Sequence, residues 1–588
     1  MKSKRREARK VAPQAPASKT RAAAKARPSR LWWVLAGLAA VAAVFWAYSP
    51  NMNGPFLFDD TSLPYAVPAL AAQSLSGWLN SQRPLLMGTY WMSARLSPDN
   101  TWWFHSINVL IHAITSGLVF FIVLRLLQWS AVEESRRNLL AGFAAFLFLL
   151  HPVQTEAVAY LNGRSESLSV MLAFAALTVF LYRRETAASW ATALAVLALF
   201  GAALLAKEHI MVLPALFLLT DYWWNPGFSF QGIRRNWKLY ATMILAGAVG
   251  LVFFWKLITG AATAGFGFQD FTWYQYFFTQ CRALFVYIGL FFFPANLTAD
   301  WDFAISRNLL DHGAIFGLAA LVALAAAAWL LRRRAPLATY GFFVFLLLMA
   351  PTSSILPIKD PVAERRLYFA ILGLLLIVID LVARLKVDRE ILVAVAAAVL
   401  VAAAAVTHAR AEVWNDAITL WQDTVRKAPD KVRPHFQLAM AYFNAQPQRC
   451  DLAVQEFQKT ADLHPPDADL LLDWGLAYDC LNQLDQALLK LQQSAVMHPT
   501  AHVFSQIGMI FGKKEQWNDA LQALAVAEKL DPTFSDTYVY RGVVHIKTNQ
   551  ALNAVQDFQR ALQLDPANDR ARQYLQVAVN QLRATTGK

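Results

Sequence analysis

Two adjacent carboxylates, Asp59 and Asp60, stand in the stretch Gly54-Pro55-Phe56-Leu57-Phe58-Asp59-Asp60-Thr61, just after the first apolar run of membrane length. A carboxylate within hydrogen-bond reach of an alcohol can take its proton as the alcohol attacks, so a general-base role is open to either. The plainer reading is that one of them caps a helix starting near Thr61. Both roles fit together, because neighbours in a loop point in different directions. Arg83 follows in the same loop. A second polar stretch holds His151, Glu156, Arg164 and Glu166 within 16 residues between apolar runs, which reads as a pocket more than a loop. A third, Lys207-Glu208-His209, sits at a helix end, where a lysine also snorkels to the interface. The fourth is Glu364-Arg365-Arg366-Leu367-Tyr368. The planar fork of arginine suits phosphate oxygens, and interface anchoring is the alternative. Asp300 and Asp302 form another acidic pair, with turn capping as their ordinary explanation.

Other chemistries find little support. His105, His112 and His151 have no metal-ligand spacing, so neither a metal nor another cofactor is expected. A phosphate-cradling glycine loop and a serine nucleophile elbow are both missing from the sequence. Three cysteines make no disulfide framework. Cys281 lies in an apolar run; Cys450 and Cys480 either pair in an oxidising compartment or stay as buried thiols.

The elements that position these groups are membrane helices. The chain is 57% hydrophobic with 20 Trp and 39 Phe, and apolar runs recur from Leu31 to Val406. Residues 1–30 carry 11 Lys/Arg against the single Glu7, which marks a disordered basic tail held in the cytoplasm. Anionic lipid and topology explain that charge more simply than nucleic acid. An uncleaved first helix suits Leu31–Tyr48 better than a signal peptide, since no clear cleavage site follows. Basic clusters at Arg136-Arg137, Arg183-Arg184, Arg234-Arg235, Arg332–Arg334 and Arg384 to Arg389 mark inner ends of about eleven crossings. These run at 31–48, 104–127, 139–150, 167–182, 188–206, 209–224, 238–258, 313–331, 339–357, 367–384 and 390–407. Tyr276–Pro294 reads as a re-entrant or interfacial helix, because one more crossing would move Arg332–Arg334 outside. The polar stretches above then all fall in outer loops.

From about Glu412 the chain repeats. Prolines at 429, 465, 499, 532 and 566 follow steps of 36, 34, 33 and 34. Ala417, Ala453, Ala487, Ala520 and Ala554 each stand twelve residues earlier, and Gly475, Gly508 and Gly542 twelve before the last three. Small residues let two helices approach, an aromatic such as Tyr442, Tyr478 or Phe511 fills the space beside them, and Pro ends the second helix. The two extra residues of the first step belong in the turn near Gln446–Arg449. Residues 412–428 match a second helix alone, whose partner is then the end of the last membrane helix. Such a solenoid binds peptide or protein, or acts as a spacer.

The order Phe58-Asp59-Asp60, Arg83-Pro84-Leu85, His105 with Asn108, His151-Pro152 with Thr155-Glu156, Gly163-Arg164, Lys207-Glu208 with Pro214 and Asp221, Glu364-Arg365 with Leu367-Tyr368, then the repeats, resembles the transmembrane tetratricopeptide-repeat O-mannosyltransferases. These are multi-spanning glycosyltransferases of the C type. Arg366 departs from the pattern, relatives tending to carry an aromatic there. The resemblance implies an all-α protein with three parts: the tail 1–30, a polytopic glycosyltransferase domain 31–411, and a tetratricopeptide-repeat domain 412–588. It implies a polyprenyl-phosphate sugar, a mannosyl or similar hexosyl donor, and a Ser or Thr hydroxyl as acceptor. Transfer to a glycan or lipid, and a scaffold without catalysis, are the competing readings. On this reading Asp59 or Asp60 is the base of an inverting displacement. Arg365, Arg164, Lys207 and Arg366 hold the phosphate, while His151, Glu156, Glu208, Arg83 and Glu364 orient the acceptor or brace the pocket. The protein is expected in a bacterial inner membrane, its repeats periplasmic and binding a protein substrate or partner.

Overall fold

The computed structural model describes residues 30–67, 73–96, 100–247, 265–266 and 268–586. The expected tail, apart from Arg30, and residues 248–258 of one expected crossing lie outside them.

Among the described residues, six helices are long and apolar enough to cross a bilayer: Val34–Asn51, Trp102–Trp129, Leu161–Thr186, Asp311–Leu331, Glu364–Arg384 and Arg389–Val413. A seventh arises if Glu134–Leu150 and Pro152–Ala159, bent by 48°, count as one span. The chain is therefore a membrane protein, although the expected count of about eleven is not matched. Trp190–Leu204, Leu213–Trp223 and Pro336–Met349 form helices of 15, 11 and 14 residues. At 1.5 Å per residue, each is shorter than a hydrocarbon core of about 30 Å. Trp273–Phe292, the expected re-entrant element, is a 20-residue helix. It opens on Thr272, whose Oγ1 accepts the Gln275 N–H while Gln275 bonds back to the Thr272 N–H. The apolar faces of the long helices explain the membrane assignment physically. Phe316, Leu330 and Val401 are 77, 77 and 70% exposed, a burial deficit that lipid makes good.

The repeat array follows from its own spacing. The second helices end at Lys427, Leu463, Met497, Leu530 and Leu564, each two residues before a proline of the series. A Cβ on Gly508 would stand 2.6 Å from Leu524, and one on Gly542 would stand 2.7 Å from Phe558. Only glycine therefore lets the paired helices approach so closely. The two extra residues lie in the connection 444–449, between Val432–Phe443 and Cys450–Leu463. A groove of about 710 Å³ runs along the first helices of successive repeats, lined among others by Met509, Lys513, Tyr540 and Lys547.

Cys450 and Cys480 are disulfide-bonded across adjacent repeats, 30 residues apart in sequence. Cross-linking a loop of that length restricts the unfolded chain by roughly 3–4 kcal/mol in the loop-entropy model. Reduction, or Cys480→Ser, is expected to lower the unfolding temperature of the repeats by several degrees, which a thermal scan with and without reductant measures.

The array is docked firmly. Arg389–Val413 runs into Ala417–Lys427, where the Arg410 guanidinium donates to Asp423 Oδ2 at 2.6 Å. Asn51 Nδ2 donates to the Trp414 carbonyl at 2.8 Å, and Lys427 Nζ to the Leu297 carbonyl at 2.6 Å. Asp300, read from sequence as one of an acidic pair, is buried beneath Lys431 and Arg433, with Arg433 Nε 2.6 Å from its Oδ2. Asp302 is exposed.

Candidate active site

The acidic turn is a short 3-10 helix, Phe58–Ser62. Its two carboxylates separate completely. Asp60 is 1% exposed and accepts three hydrogen bonds: from the Leu57 N–H at 3.1 Å, the Tyr65 hydroxyl at 3.1 Å and the Asn162 N–H at 2.9 Å. It ties the turn to the second polar stretch. Asp59 is exposed, and its N–H donates to the Tyr160 hydroxyl at 3.1 Å. Phe58 takes φ +54°, a left-handed conformation that strains a side chain with a Cβ. Packing holds it there: Tyr160 on one side, Trp421 of the repeats on another, and the Arg433 guanidinium 5.5 Å over its ring.

Burial pushes the Asp60 carboxyl up to about 7, against the pull of its three donors. An acid whose folded value is raised stabilises the fold when protonated. That stability is present below the ordinary value near 4 and is lost as pH rises through about 7, up to ~4 kcal/mol in all. The native chain is thus expected to lose unfolding temperature between pH 4 and 7 relative to Asp60→Asn. Paired thermal scans across that range measure the difference in slope.

Three cations lie within electrostatic reach of one another, each on a carboxylate. Arg365 pairs with Glu156, whose other oxygen accepts the Arg365 N–H at 2.8 Å. Lys207 Nζ lies 2.5 Å from Glu166 Oε2, and His209 Nε2 is 3.2 Å from the other oxygen. Arg83 grips Glu208 with two bonds, at 3.2 and 2.7 Å. The pairs sense one another. Burial lowers the Lys207 ammonium, Glu166 raises it, and Arg83 and Arg365 lower it again. Burial opposes ionisation of Glu208, yet Arg83 and Lys207 hold its carboxyl down to about 2. Tyr160 links the groups, within electrostatic reach of Asp59, Asp60 and Arg365. Side chains of Arg83, Lys207 and Arg365 remain 32, 17 and 28% exposed, so an anion can reach them.

Two expected phosphate ligands are placed otherwise. Arg164 is fully buried, and its donors go to Asn108 Oδ1, the Thr89 carbonyl, Ser93 Oγ and the Phe104 carbonyl at 2.7–3.1 Å. Its plane lies over Tyr90. Arg366 is buried too, donating to the Tyr276 hydroxyl and to the carbonyls of Asp360 and Pro361. Both are buried and bonded to neighbouring segments. His151 and Glu364 make contacts of the bracing kind. His151 Nε2 donates to the Phe291 carbonyl at 2.9 Å, and Glu364 accepts from the Thr298 N–H at 2.5 Å and Trp301 Nε1 at 3.3 Å. His105 and His112 are bonded to the carbonyls of Gly54 and Leu149.

No family model matches the chain. It is 27% identical over 339 residues to Protein O-mannosyl-transferase Tmtc1 of Drosophila melanogaster, covering 49% of this chain and 38% of that one. It is 29% identical over 154 residues to Protein O-mannosyl-transferase F38B6.6 of Caenorhabditis elegans, 24% of this chain and 22% of the relative. Over 170 residues it is 31% identical to Protein O-mannosyl-transferase TMTC1 of Mus musculus, 25% of this chain and 17% of the relative. The chain resembles the transmembrane tetratricopeptide-repeat O-mannosyltransferases. The matches span about two fifths or less of these O-mannosyltransferases' own length. Among solved structures, similarity is seen to MamA (18% identity, TM-score 0.24, 26% of this chain and 89% of that one). It extends to YrrB, described as a TPR protein with an unusual peptide-binding site (18% identity, TM-score 0.23, 26% and 80%).

Several residues of this site are not singled out by the sequence. Tyr160 lies between Glu156 and Arg164, and its position within the polar stretch is the available signal. Tyr65 and Arg433 offered none, because a lone tyrosine in a loop and a basic residue opening a repeat helix are ordinary.

Proposed function

We propose that this chain is a protein O-glycosyltransferase. It takes a hexose, mannose or a similar sugar, from a polyprenyl phosphate embedded in the bilayer and gives it to a Ser or Thr hydroxyl. The observation that carries this reading is three carboxylate-backed, partly exposed cations, Arg83, Lys207 and Arg365, within electrostatic reach of one another, together with an exposed carboxylate, Asp59, on the turn bonded to Tyr160.

The chemistry runs through this chain's own groups. Asp59 takes the proton of the acceptor hydroxyl as its oxygen bonds to the anomeric carbon. The bond from that carbon to the phosphate oxygen breaks on the opposite face, and the electron pair leaves with the polyprenyl phosphate. Lys207 and Arg365 face the growing negative charge. Glu156 and Glu166 fix the two cations in place, so little reorganisation accompanies the reaction. Asp60, bonded to Tyr65 and Asn162, holds the turn that carries Asp59. A single displacement inverts the anomeric centre.

The repeats bind the protein substrate, with the groove of about 710 Å³ as support. The Cys450–Cys480 bond supports an oxidising compartment, hence repeats on the periplasmic side of an inner membrane and the N-terminus in the cytoplasm. About eleven crossings would give that arrangement.

The full chain in lipid nanodiscs, given radiolabelled polyprenyl-phosphate mannose and a Thr-containing peptide, is expected to label the peptide with inversion. Retention, or label on lipid or glycan but not peptide, overturns the proposal.

A further inference from the structure

We infer that the acceptor polypeptide reaches the site through a cation-free aromatic cleft shared by the acidic turn and the first repeat. This rests on the transfer reading above. The cleft measures about 580 Å³, within the range of roughly 300–1,000 Å³ usual for binding clefts. One wall is Phe56, Phe58 and Thr61 of the acidic loop; the other is Trp421, Phe436 and Met440 of the repeat domain. Phe58 and Thr61 belong to the turn that carries Asp59, so a chain lying here meets that turn.

Charge decides which substrate enters. Among the described residues lining the cleft there is no lysine or arginine, whereas a sugar phosphate needs cations. Its acid, Asp416, already caps the Ala417–Lys427 helix, accepting the Ile418 and Thr419 N–H groups at 2.8 and 3.2 Å. Arg83, Lys207 and Arg365 do not line it. The donor phosphate and the cleft's occupant therefore occupy different places. Gln437 and Asn444 supply amides able to bond an extended backbone, and the aromatic wall suits apolar side chains beside the hydroxyl. The occupant is thus an uncharged, extended stretch of polypeptide with apolar neighbours around its Ser or Thr.

The cleft exists only because the repeat domain is docked. Arg433 fixes its shape from one point, above the strained Phe58, with Nη2 2.9 Å from Asp360 Oδ1 and Nε 2.6 Å from Asp300 Oδ2. Three outer loops meet at this guanidinium.

The test places a photo-crosslinking phenylalanine analogue at Met440 of the full chain in membranes. The probe is a fluorescent peptide with one Thr flanked by Val and Leu. Crosslinking to the peptide, competed by unlabelled peptide and independent of donor, is expected. No peptide capture, or capture of the polyprenyl chain instead, overturns the inference. Because capture needs no sugar transfer, it is read even if the transfer reading fails. Kinetically, Met440→Lys and the exposed-rim change Asn444→Ala are expected to raise the peptide KM, the former about tenfold, with donor KM moving less than twofold. An equal rise in donor KM, or no change in either constant for both variants, counts against the cleft.

Discussion

An Asp59→Asn chain is expected to fold, to bind donor, and to transfer sugar about 100- to 10,000-fold more slowly than the native chain, the range for a lost general base. The amide matches the carboxylate in size but takes up no proton. Because the substitution keeps the size of the side chain and leaves the Asp59 N–H to donate to the Tyr160 hydroxyl at 3.1 Å, the turn keeps its shape. The loss should fall on kcat, with donor KM near its native value. Asp59→Glu, which keeps a base on a longer arm, should recover part of the rate. Asp60→Asn is the informative contrast. Its target accepts three donors in a buried site, so its main effect should be on stability and its pH dependence. Native turnover by Asp59→Asn would remove the base from the mechanism.

Arg164→Leu is expected to fail at folding. The change leaves Asn108 Oδ1, Ser93 Oγ and the carbonyls of Thr89 and Phe104 without their donor in a fully buried site. Each unsatisfied group costs ~1–3 kcal/mol, and the sum rivals the ~5–15 kcal/mol that holds a typical domain together. Arg164→Lys should be only partly better, since one ammonium replaces a planar fork that reaches two helices at once. Detergent-solubilised yield and trypsin resistance of both variants measure this. If Arg164→Leu folds normally and loses only donor affinity, the guanidinium belongs to the phosphate site after all.

Arg365→Leu separates the two roles that Arg164 and Arg365 shared in the sequence. Its side chain is partly exposed, while its partner Glu156 is buried. Removing it should weaken donor binding and leave Glu156 as an unpaired charge, a cost of ~3–5 kcal/mol that Glu156→Gln in the same chain should largely relieve. Donor KM and thermal stability of the single and double variants distinguish binding from bracing.

The architecture of the repeat half was legible because its signals are local and periodic. A proline two residues past each second helix, an alanine twelve before it and a glycine facing the next helix describe short-range packing that any copy of the unit reproduces. The acidic turn and the polar outer stretches were legible too, as charge is conspicuous between apolar runs. The crossing count was less so. Leu213–Trp223 is apolar but only 11 residues long, and length within the folded bundle is not written in hydropathy alone.

What the sequence by itself determined is therefore the inventory: a helical membrane protein, a repeat array and the charged groups available for chemistry. Tertiary structure decided the assignment of each group. Asp59 and Asp60 are neighbours of one type, yet only the fold buries one against Tyr65 and Asn162 and exposes the other. Arg164, Arg365 and Arg366 read alike until their partners are known, and those partners lie up to 209 residues away. The contact of Arg433 with Asp300 spans 133 residues and joins two domains. Side-chain type states what a group is able to do; its role depends on which distant donors and acceptors the packing brings within 3 Å, and neither periodicity nor spacing encodes that.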